Sequence, residues 1–208
     1  MHADDLARRL LSESRRRWQD PVRLAGEMGA AEGMTVADLG CGPGFFTLPL
    51  ASLVGARGLV YAVDSDPAML RHLREGVGKA DPEVGRRIRV VEADVSRTGI
   101  ATSSVDLTLL SIVLHDIEDK VALFREVGRT SRPGALVVDI DWRKVRSETG
   151  PPVEIRLSRE ESERLLEGGG FRVVGSIQAG PDHYGVVCRV GARRPGVPRG
   201  PRLGVVLR

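Results

Sequence analysis

The stretch VADLGCGPGFFTLPLA, residues 36–51, predicts a strand, a tight turn and the start of a helix. Its apolar first part contains Asp38, and three glycines then stand at alternate positions: Gly40, Gly42 and Gly44. Glycine-rich turns between a first strand and a helix bring backbone close to a ligand. In the dinucleotide pattern G-x-G-x-x-G the third glycine would stand at Phe45, and the Gly-Lys-Ser/Thr ending of a P-loop is absent. The turn therefore predicts a nucleoside-like ligand without obvious provision for a pyrophosphate.

Apolar, strand-forming runs alternate with helix-like segments through most of the chain. Unbroken apolar runs are typical of strands that are covered on both faces. Five of them occupy residues 35–40, 59–64, 87–94, 104–111 and 135–141. Because strands alternate with helices, we expect a parallel sheet with right-handed crossovers.

The last part of the domain follows a different pattern. A helix with a Ser158–Glu161 capping box ends at the glycines 168–170, and strands are predicted at 171–177 and 184–190. The connection between these two strands is too short for a crossover helix, so they should pair antiparallel. The sequence thus predicts an α/β fold, a doubly wound seven-stranded and mostly parallel sheet with the last strand antiparallel.

The distribution of charge divides the chain into segments, and its cysteine content indicates the cellular compartment. We divide the chain into an N-terminal helix (1–20), a central domain (21–190) and a basic tail rich in Pro, Gly and Arg (191–208). The two cysteines lie far apart, which fits free thiols in a reducing compartment. No apolar run approaches the roughly 20 residues of a membrane span, and the N-terminus does not resemble a secretory signal. We therefore expect a cytoplasmic protein without a membrane partner.

Five motifs in order resemble those of the class I S-adenosylmethionine-dependent methyltransferases. They are VADLGCGPG, VYAVDSDPAML, VVEADV, SVDLTLLSIVLHDIED and RPGALVVDID. The chain looks most like the methyltransferases of ubiquinone and menaquinone biosynthesis, the type 11 kind. The resemblance implies a Rossmann-like methyltransferase domain over 21–190, S-adenosylmethionine as cofactor, and in-line transfer of its methyl group to a small-molecule acceptor.

The resemblance also implies where the cofactor binds. Asp64 would accept hydrogen bonds from both ribose hydroxyls, and Asp94 would accept one from the adenine amine; a carboxylate has the acceptor capacity for either task. Asp38 would lie near the amino-acid end. The implied cofactor-binding residues are Asp38, Gly40, Cys41, Gly42, Gly44, Phe46, Asp64, Ser65, Met69, Ala93, Asp94, Val95 and Ser111.

Transfer to a hydroxyl or an activated carbon needs a base to remove a proton. His115 follows the fourth predicted strand at its carboxyl end. The reversed last strand brings His183 and Tyr184 to the same edge of the sheet, so these three residues are the catalytic candidates. No cluster of metal ligands is visible, and we expect metal-independent transfer.

Two segments are predicted to cover the site. Residues 141–157 form a long connection, read as a substrate lid in which an arginine such as Arg143 or Arg156 could bind an acidic acceptor. The N-terminal helix, residues 3–18, presents an apolar face of Leu6, Leu10 and Leu11.

Two other functions stay open at this stage. A nucleic-acid methyltransferase is favoured by the basic tail and by Arg15–Arg17, but aromatic residues are only 4% of the chain, which leaves little for base stacking. A non-catalytic module that binds S-adenosylmethionine would keep the same motifs. The methyl acceptor, and the choice between monomer and homodimer, are left open.

Overall fold

Seven strands form one sheet in the computed structural model, which describes residues 3–191. The strands are β1 (Thr35–Leu39), β2 (Leu59–Asp64), β3 (Ile88–Glu92), β4 (Val105–Ser111), β5 (Ser131–Trp142), β6 (Phe171–Ile177) and β7 (His183–Val190). Their order across the sheet is β3-β2-β1-β4-β5-β7-β6. Strand β7 runs antiparallel to both β5 and β6, and the other pairs are parallel. The predicted fold class is confirmed.

Eight α-helices and one short 3₁₀ helix connect these strands within the described residues. The α-helices are α1 (Ala3–Leu10), α2 (Glu13–Trp18), α3 (Pro21–Glu27), α4 (Thr47–Leu53), α5 (Pro67–Lys79), α6 (Pro82–Gly85), α7 (Lys120–Thr130) and α8 (Arg159–Gly168), and the 3₁₀ helix is Val153–Ile155. Asp66 caps α5 ahead of Pro67. The predicted Ser158–Glu161 capping box opens α8. Among the described residues, no helix combines the length and apolar character that a membrane span requires.

Two local predictions differ from the structure. The single N-terminal helix is two helices, because the Ser12 side chain accepts a hydrogen bond from the Arg15 N–H and starts a new helix there. Strand β5 begins at Ser131, directly after α7, and not at Ala135, where the predicted run 135–141 starts. A register shift between Val105 and Leu107 accommodates this early start. Of the predicted basic tail, residues 192–208 lie outside the described part of the chain.

The core lies on both faces of the sheet. Helices α3 and α4 pack residues such as Leu24 and Leu50 against Leu109 and Ile140, while α7 and α8 cover the opposite face through Leu123 and Leu166. Helix α5 adds a third cluster over β2. Covering on both faces explains why most residues of β1 and β4 and the second half of β5 are buried.

The glycines of the first turn are required largely by the protein's own side chains. All three have positive φ: 70° at Gly40, 53° at Gly42 and 93° at Gly44. A Cβ on Gly40 would stand 2.4 Å from Val113 Cγ2, and one on Gly44 would stand 2.5 Å from Leu73 Cδ1. Backbone conformation and packing therefore both exclude a side chain at these two positions.

We predict that Gly44→Ala lowers the free energy of unfolding by about 2 kcal/mol, because the methyl group meets Leu73 and the left-handed conformation is strained. The control is Gly78→Ala in α5, where no atom of the described residues lies within 4 Å of the added atom. Alanine favours a helix over glycine, so this variant should gain up to about 1 kcal/mol. Urea denaturation checks both; a neutral Gly44→Ala would contradict the packing argument.

Candidate cofactor and acceptor site

A cleft of about 370 Å³ opens at the carboxyl ends of β1, β2 and β4, where the strand order reverses. Ligands in open α/β sheets bind at this switch point. Most of the predicted cofactor-binding residues line it: Asp38, Gly40, Cys41, Gly42, Phe46, Asp64, Ser65, Met69, Asp94, Val95 and Ser111. Gly44 and Ala93, from the same set, do not line the cleft.

Asp64, at the end of β2, holds the glycine turn in place. One carboxylate oxygen accepts from the Gly42 N–H at 2.7 Å, and the other accepts from the Asp66 N–H at 2.9 Å. The Val63 carbonyl also accepts from the N–H groups of Gly40 and Cys41. A carboxylate has about four acceptor positions, so Asp64 retains capacity for the hydroxyls of a ligand.

Asp38, at the end of β1, is buried below the turn. Its carboxylate accepts a hydrogen bond from the Thr47 hydroxyl at 2.7 Å. Burial raises the pKa of Asp38 to about 7, and the nearby charge of Asp64 acts in the same direction, while the Thr47 hydrogen bond opposes both. Asp38 is thus poised to become fully ionised when a positive charge approaches it.

Asp94 is exposed at the rim of the cleft, two residues after β3 ends. Its carboxylate accepts from the Ser96 hydroxyl at 2.5 Å and from the Ser96 N–H at 2.7 Å. These two hydrogen bonds lower the pKa of Asp94, so the group is ionised at neutral pH.

The two N-terminal helices form one wall of the cleft through Leu6, Leu10 and Arg15. The apolar leucines follow the predicted covering face. Arg15 is a site residue that the sequence analysis missed, because it treated Arg15–Arg17 as a basic run. One signal was present: Leu11, Arg15 and Trp18 have helical spacing, which puts Arg15 on the same face as two apolar residues.

His115 follows β4 and contacts a buried carboxylate of β5. Its Nδ1 lies 2.8 Å from Asp141 Oδ1, and its Nε2 lies 3.3 Å from Asp116 Oδ1. A carboxylate only accepts, so in the neutral ring the proton is assigned to Nδ1, which has the shorter carboxylate contact, and Nε2 is the nitrogen that can take up a proton. Burial alone lowers the pKa of His115, but the hydrogen bond and charge of Asp141, with the charge of Asp116, outweigh it and raise the pKa. His115 itself does not line the cleft, whereas Asp116 does.

The structure does not bring His183 or Tyr184 to the cleft. The His183 ring is fully buried between Trp18, at 5.0 Å between centroids, and Trp142, at 4.0 Å. Neither ring nitrogen has a hydrogen-bond partner among the described residues, and burial, with nearby arginines, lowers the pKa of His183 to about 3. Tyr184 packs in the core, where burial raises the pKa of its hydroxyl. The topology places both residues at the predicted edge of the sheet, but their side chains are packed in the interior of the protein.

Arg156 stabilises the predicted lid segment, 141–157, from within. Its side chain is buried and donates hydrogen bonds to the carbonyls of Pro151, Arg143, Val145 and Thr149 and to the Ser147 hydroxyl. These contacts occupy the guanidinium, so Arg156 is not available to an acidic acceptor.

One backbone outlier lies beside the acceptor edge. Ile112, between Ser111 and the His115 loop, has φ of 60° and lines the cleft. β-Branched residues rarely adopt this conformation, and such strain concentrates at functional sites. The Ile112 N–H donates to the Ile140 carbonyl at 2.7 Å, which holds the β4 end against β5.

Comparison with known proteins gives the class to which this site belongs. Residues 36–134 match the family described as a methyltransferase domain. A methyltransferase of Aquifex aeolicus, described as S-adenosylmethionine-dependent, has 29% identity, covers 91% of this chain and 99% of its own, and superposes with a TM-score of 0.84. A type 11 methyltransferase of Sulfolobus solfataricus, described as putative, has 25% identity, with 79% and 88% covered and a TM-score of 0.65.

A curated relative agrees. A demethylmenaquinone methyltransferase of Staphylococcus aureus is 28% identical over 119 residues, which are 57% of this chain and 47% of that protein. The chain thus spans about half the length of the curated relatives it matches. The match to the methyltransferase domain covers just under half of the chain, and the resemblance to S-adenosylmethionine-dependent methyltransferases is confirmed. The cofactor of this class, S-adenosylmethionine, is the one that the resemblance implies.

The buried His183 ring generates a prediction about acid stability. A pKa of about 3 in the folded protein against 6.5 for an ordinary histidine means that the unfolded chain binds the extra proton between these values. The contribution of His183 to the free energy of unfolding is therefore fully present above pH 6.5. Below that pH it falls by about 1.4 kcal/mol for each pH unit. Replacing His183 by Phe should reduce the loss between pH 7 and 4.5 by about 2–3 kcal/mol. Urea denaturation of the unchanged protein and of His183→Phe at both pH values measures the difference. All other titrating groups are common to the two proteins, so they cancel in the comparison. Equal losses of unfolding free energy in the two proteins would contradict the prediction.

The His115–Asp141 pair generates a second prediction. An NMR titration of the His115 imidazole should give a pKa above 6.5, because two carboxylates favour its protonated form. Asp141→Asn should lower this pKa clearly, and Asp116→Asn should lower it less, because the Asp116 contact is longer. A midpoint below 6.5 in the unchanged protein would show that burial outweighs the carboxylates.

Proposed function

We propose that the chain transfers the methyl group of S-adenosylmethionine to a small-molecule acceptor by in-line displacement. The observation that carries the proposal is the arrangement of Asp38, Asp64 and Asp94 in one cleft, each at or just after the end of a neighbouring strand beside the glycine turn. A sulfonium nucleoside is cationic and has two ribose hydroxyls, an adenine amine and an ammonium group. Three carboxylates at these positions match those groups in number and chemistry.

In this proposal the cofactor binds along the three strand ends in turn. Asp64 accepts from the ribose hydroxyls while it holds Gly42, Asp94 accepts from the adenine amine, and Asp38 faces the ammonium group. The negative walls of the cleft stabilise the sulfonium ion. The sulfonium is already an activated methyl donor, so the proposed transfer needs no metal ion.

His115 is the proposed base. As the acceptor atom forms its bond to the methyl carbon, the C–S bond breaks and its electron pair stays on sulfur, which gives S-adenosylhomocysteine. The acceptor's proton goes to Nε2 of His115, while Asp141 stabilises the resulting imidazolium through Nδ1–H. The acceptor would reach Nε2 from the side of Asp116, which lines the cleft. Positioning of donor and acceptor supplies much of the rate.

His183 and Tyr184 have packing roles in this proposal, since both are buried away from the cleft. We further propose a cytoplasmic protein, monomeric or homodimeric, that acts on a small molecule and not chiefly on nucleic acid. The Staphylococcus relative suggests a quinol of the demethylmenaquinone type as the first acceptor to try.

We predict that calorimetry detects binding of S-adenosylmethionine and S-adenosylhomocysteine, and that Asp64→Ala weakens both at least tenfold, because ribose contacts and the Gly42 anchor are lost together. Asp81→Ala is the control: it removes an acid that caps α6, away from the cleft.

In a turnover assay with quinols and hydroxylated aromatics, His115→Asn should lower kcat about 100-fold or more. Binding of NADH in place of both nucleosides would overturn the assignment, and binding without turnover of any acceptor would favour the non-catalytic module.

A further inference from the structure

Arg15 lies in an unusual place for an arginine. It is only 8% exposed, yet it lines the cleft beside the glycine turn. Its guanidinium stacks on Phe45, with Cζ 3.8 Å from the ring centroid. Nε donates to Gln19 Oε1 at 2.8 Å and Nη1 donates to the Leu10 carbonyl at 3.1 Å. Both partners are neutral, and Nη2 has no hydrogen bond to any other described residue.

The guanidinium of Arg15 forms no ion pair in the described part of the chain. No carboxylate oxygen of residues 3–191 lies within 4 Å of it, and burial, followed by repulsion from Arg16, lowers the pKa of Arg15 to about 9, although the more distant charge of Asp38 acts in the opposite direction. Burying an unpaired charge is costly, so such groups are normally paired. Among the described residues that line the cleft, Arg15 is the one base beside five acids: Asp38, Asp64, Asp66, Asp94 and Asp116.

We propose that Arg15 binds the carboxylate at the amino-acid end of S-adenosylmethionine. The inference rests on the proposed function, and it assigns a contact that none of the five motifs contains. The amino-acid end is zwitterionic, so it needs one positive and one negative partner. Arg15 and the buried Asp38 are close enough for each to shift the other's pKa, and both lie next to the turn. Together they can pair with both charges of the ligand.

An acidic methyl acceptor is the alternative source of a carboxylate for Arg15, but the position of Arg15 argues against it. Arg15 lies over Phe45, directly after the glycine turn, at the end of β1. The proposed base, His115, lies beyond β4 and is held to the end of β5. A carboxylate at Arg15 therefore belongs to the molecule that occupies the turn, which is the cofactor.

The contact would also fix the wall of the cleft. Gln19, which orients Arg15, donates through Nε2 to the Ala179 carbonyl at 3.2 Å, and Trp18 stacks on His183. Helix α2 is thus already fastened to the β6–β7 loop and to β7. A planar guanidinium held in this way is preorganised for a carboxylate, so little conformational entropy is lost when the two pair.

The test compares two nucleosides that differ only in the carboxylate: S-adenosylhomocysteine and its decarboxylated form, which keeps the amine. Arg15→Gln should raise the Kd of S-adenosylhomocysteine about 10- to 100-fold, the range for a charge-assisted hydrogen bond. The Kd of the decarboxylated nucleoside should change less than about twofold. Arg15→Lys should recover part of the loss, because it keeps the charge but not the fork. Arg17→Gln, on the exposed side of the same helix, is the matched control.

Each of the other possible results of this experiment identifies a different explanation. If Arg15→Gln leaves the Kd of S-adenosylhomocysteine unchanged, the carboxylate binds elsewhere and the inference is wrong. An equal loss for both nucleosides would give Arg15 only a role in holding α2. If Arg15→Gln raises the KM of an acidic acceptor but not the Kd of S-adenosylhomocysteine, the acceptor supplies the carboxylate. If the unchanged protein binds neither nucleoside, the proposed function itself fails.

Discussion

The hydrogen bond from the Gly42 N–H to the Asp64 carboxylate joins the two strands on which the site is built. It ties the turn after β1 to the end of β2, and the second Asp64 oxygen fixes the start of α5 through the Asp66 N–H. Three parts of the cleft thus take their positions from one side chain. Because the bond is charge-assisted and partly buried, it is stronger than an ordinary backbone contact. Any ligand that Asp64 binds is held against a turn whose shape the same carboxylate maintains.

The glycines of the first turn allow close packing within the protein as well as close approach of a ligand. At Gly40 and Gly44 the space that a side chain would need is filled by Val113 and Leu73, which belong to the β4 loop and to α5. Only Gly42, whose nearest neighbour would be Leu10 Cδ1 at 3.9 Å, leaves that space largely open. The motif therefore brings three elements together around the turn. Its spacing reflects packing within the protein as well as recognition of a nucleoside.

Local patterns in the sequence were sufficient to predict the sheet, and the resemblance to a known family identified most of the cleft. Asp38, Asp64 and Asp94, which the resemblance implies, also fit the pattern, because each ends or follows an apolar run and strand ends meet at one edge of a parallel sheet. His183 and Arg15 show what such patterns miss. Both are polar, and their burial depends on residues far away in the chain: Trp18 and Trp142 for His183, and Phe45 for Arg15. Side-chain direction at a strand end or in a short helix is set by these distant contacts, which spacing alone does not contain.

Asp38 and Arg15 show how a cleft of this charge can favour a zwitterion. Burial disfavours the charged form of each group: it raises the pKa of Asp38 to about 7 and lowers the pKa of Arg15 to about 9. The low dielectric that penalises each charge also strengthens its attraction to an opposite charge. A ligand with both an ammonium and a carboxylate offsets the two penalties at once, whereas an amine or an acid alone offsets only one and leaves the other group unpaired. Selectivity for an amino-acid end therefore follows from the burial of two opposite charges, without any need for a shape that excludes smaller nucleosides.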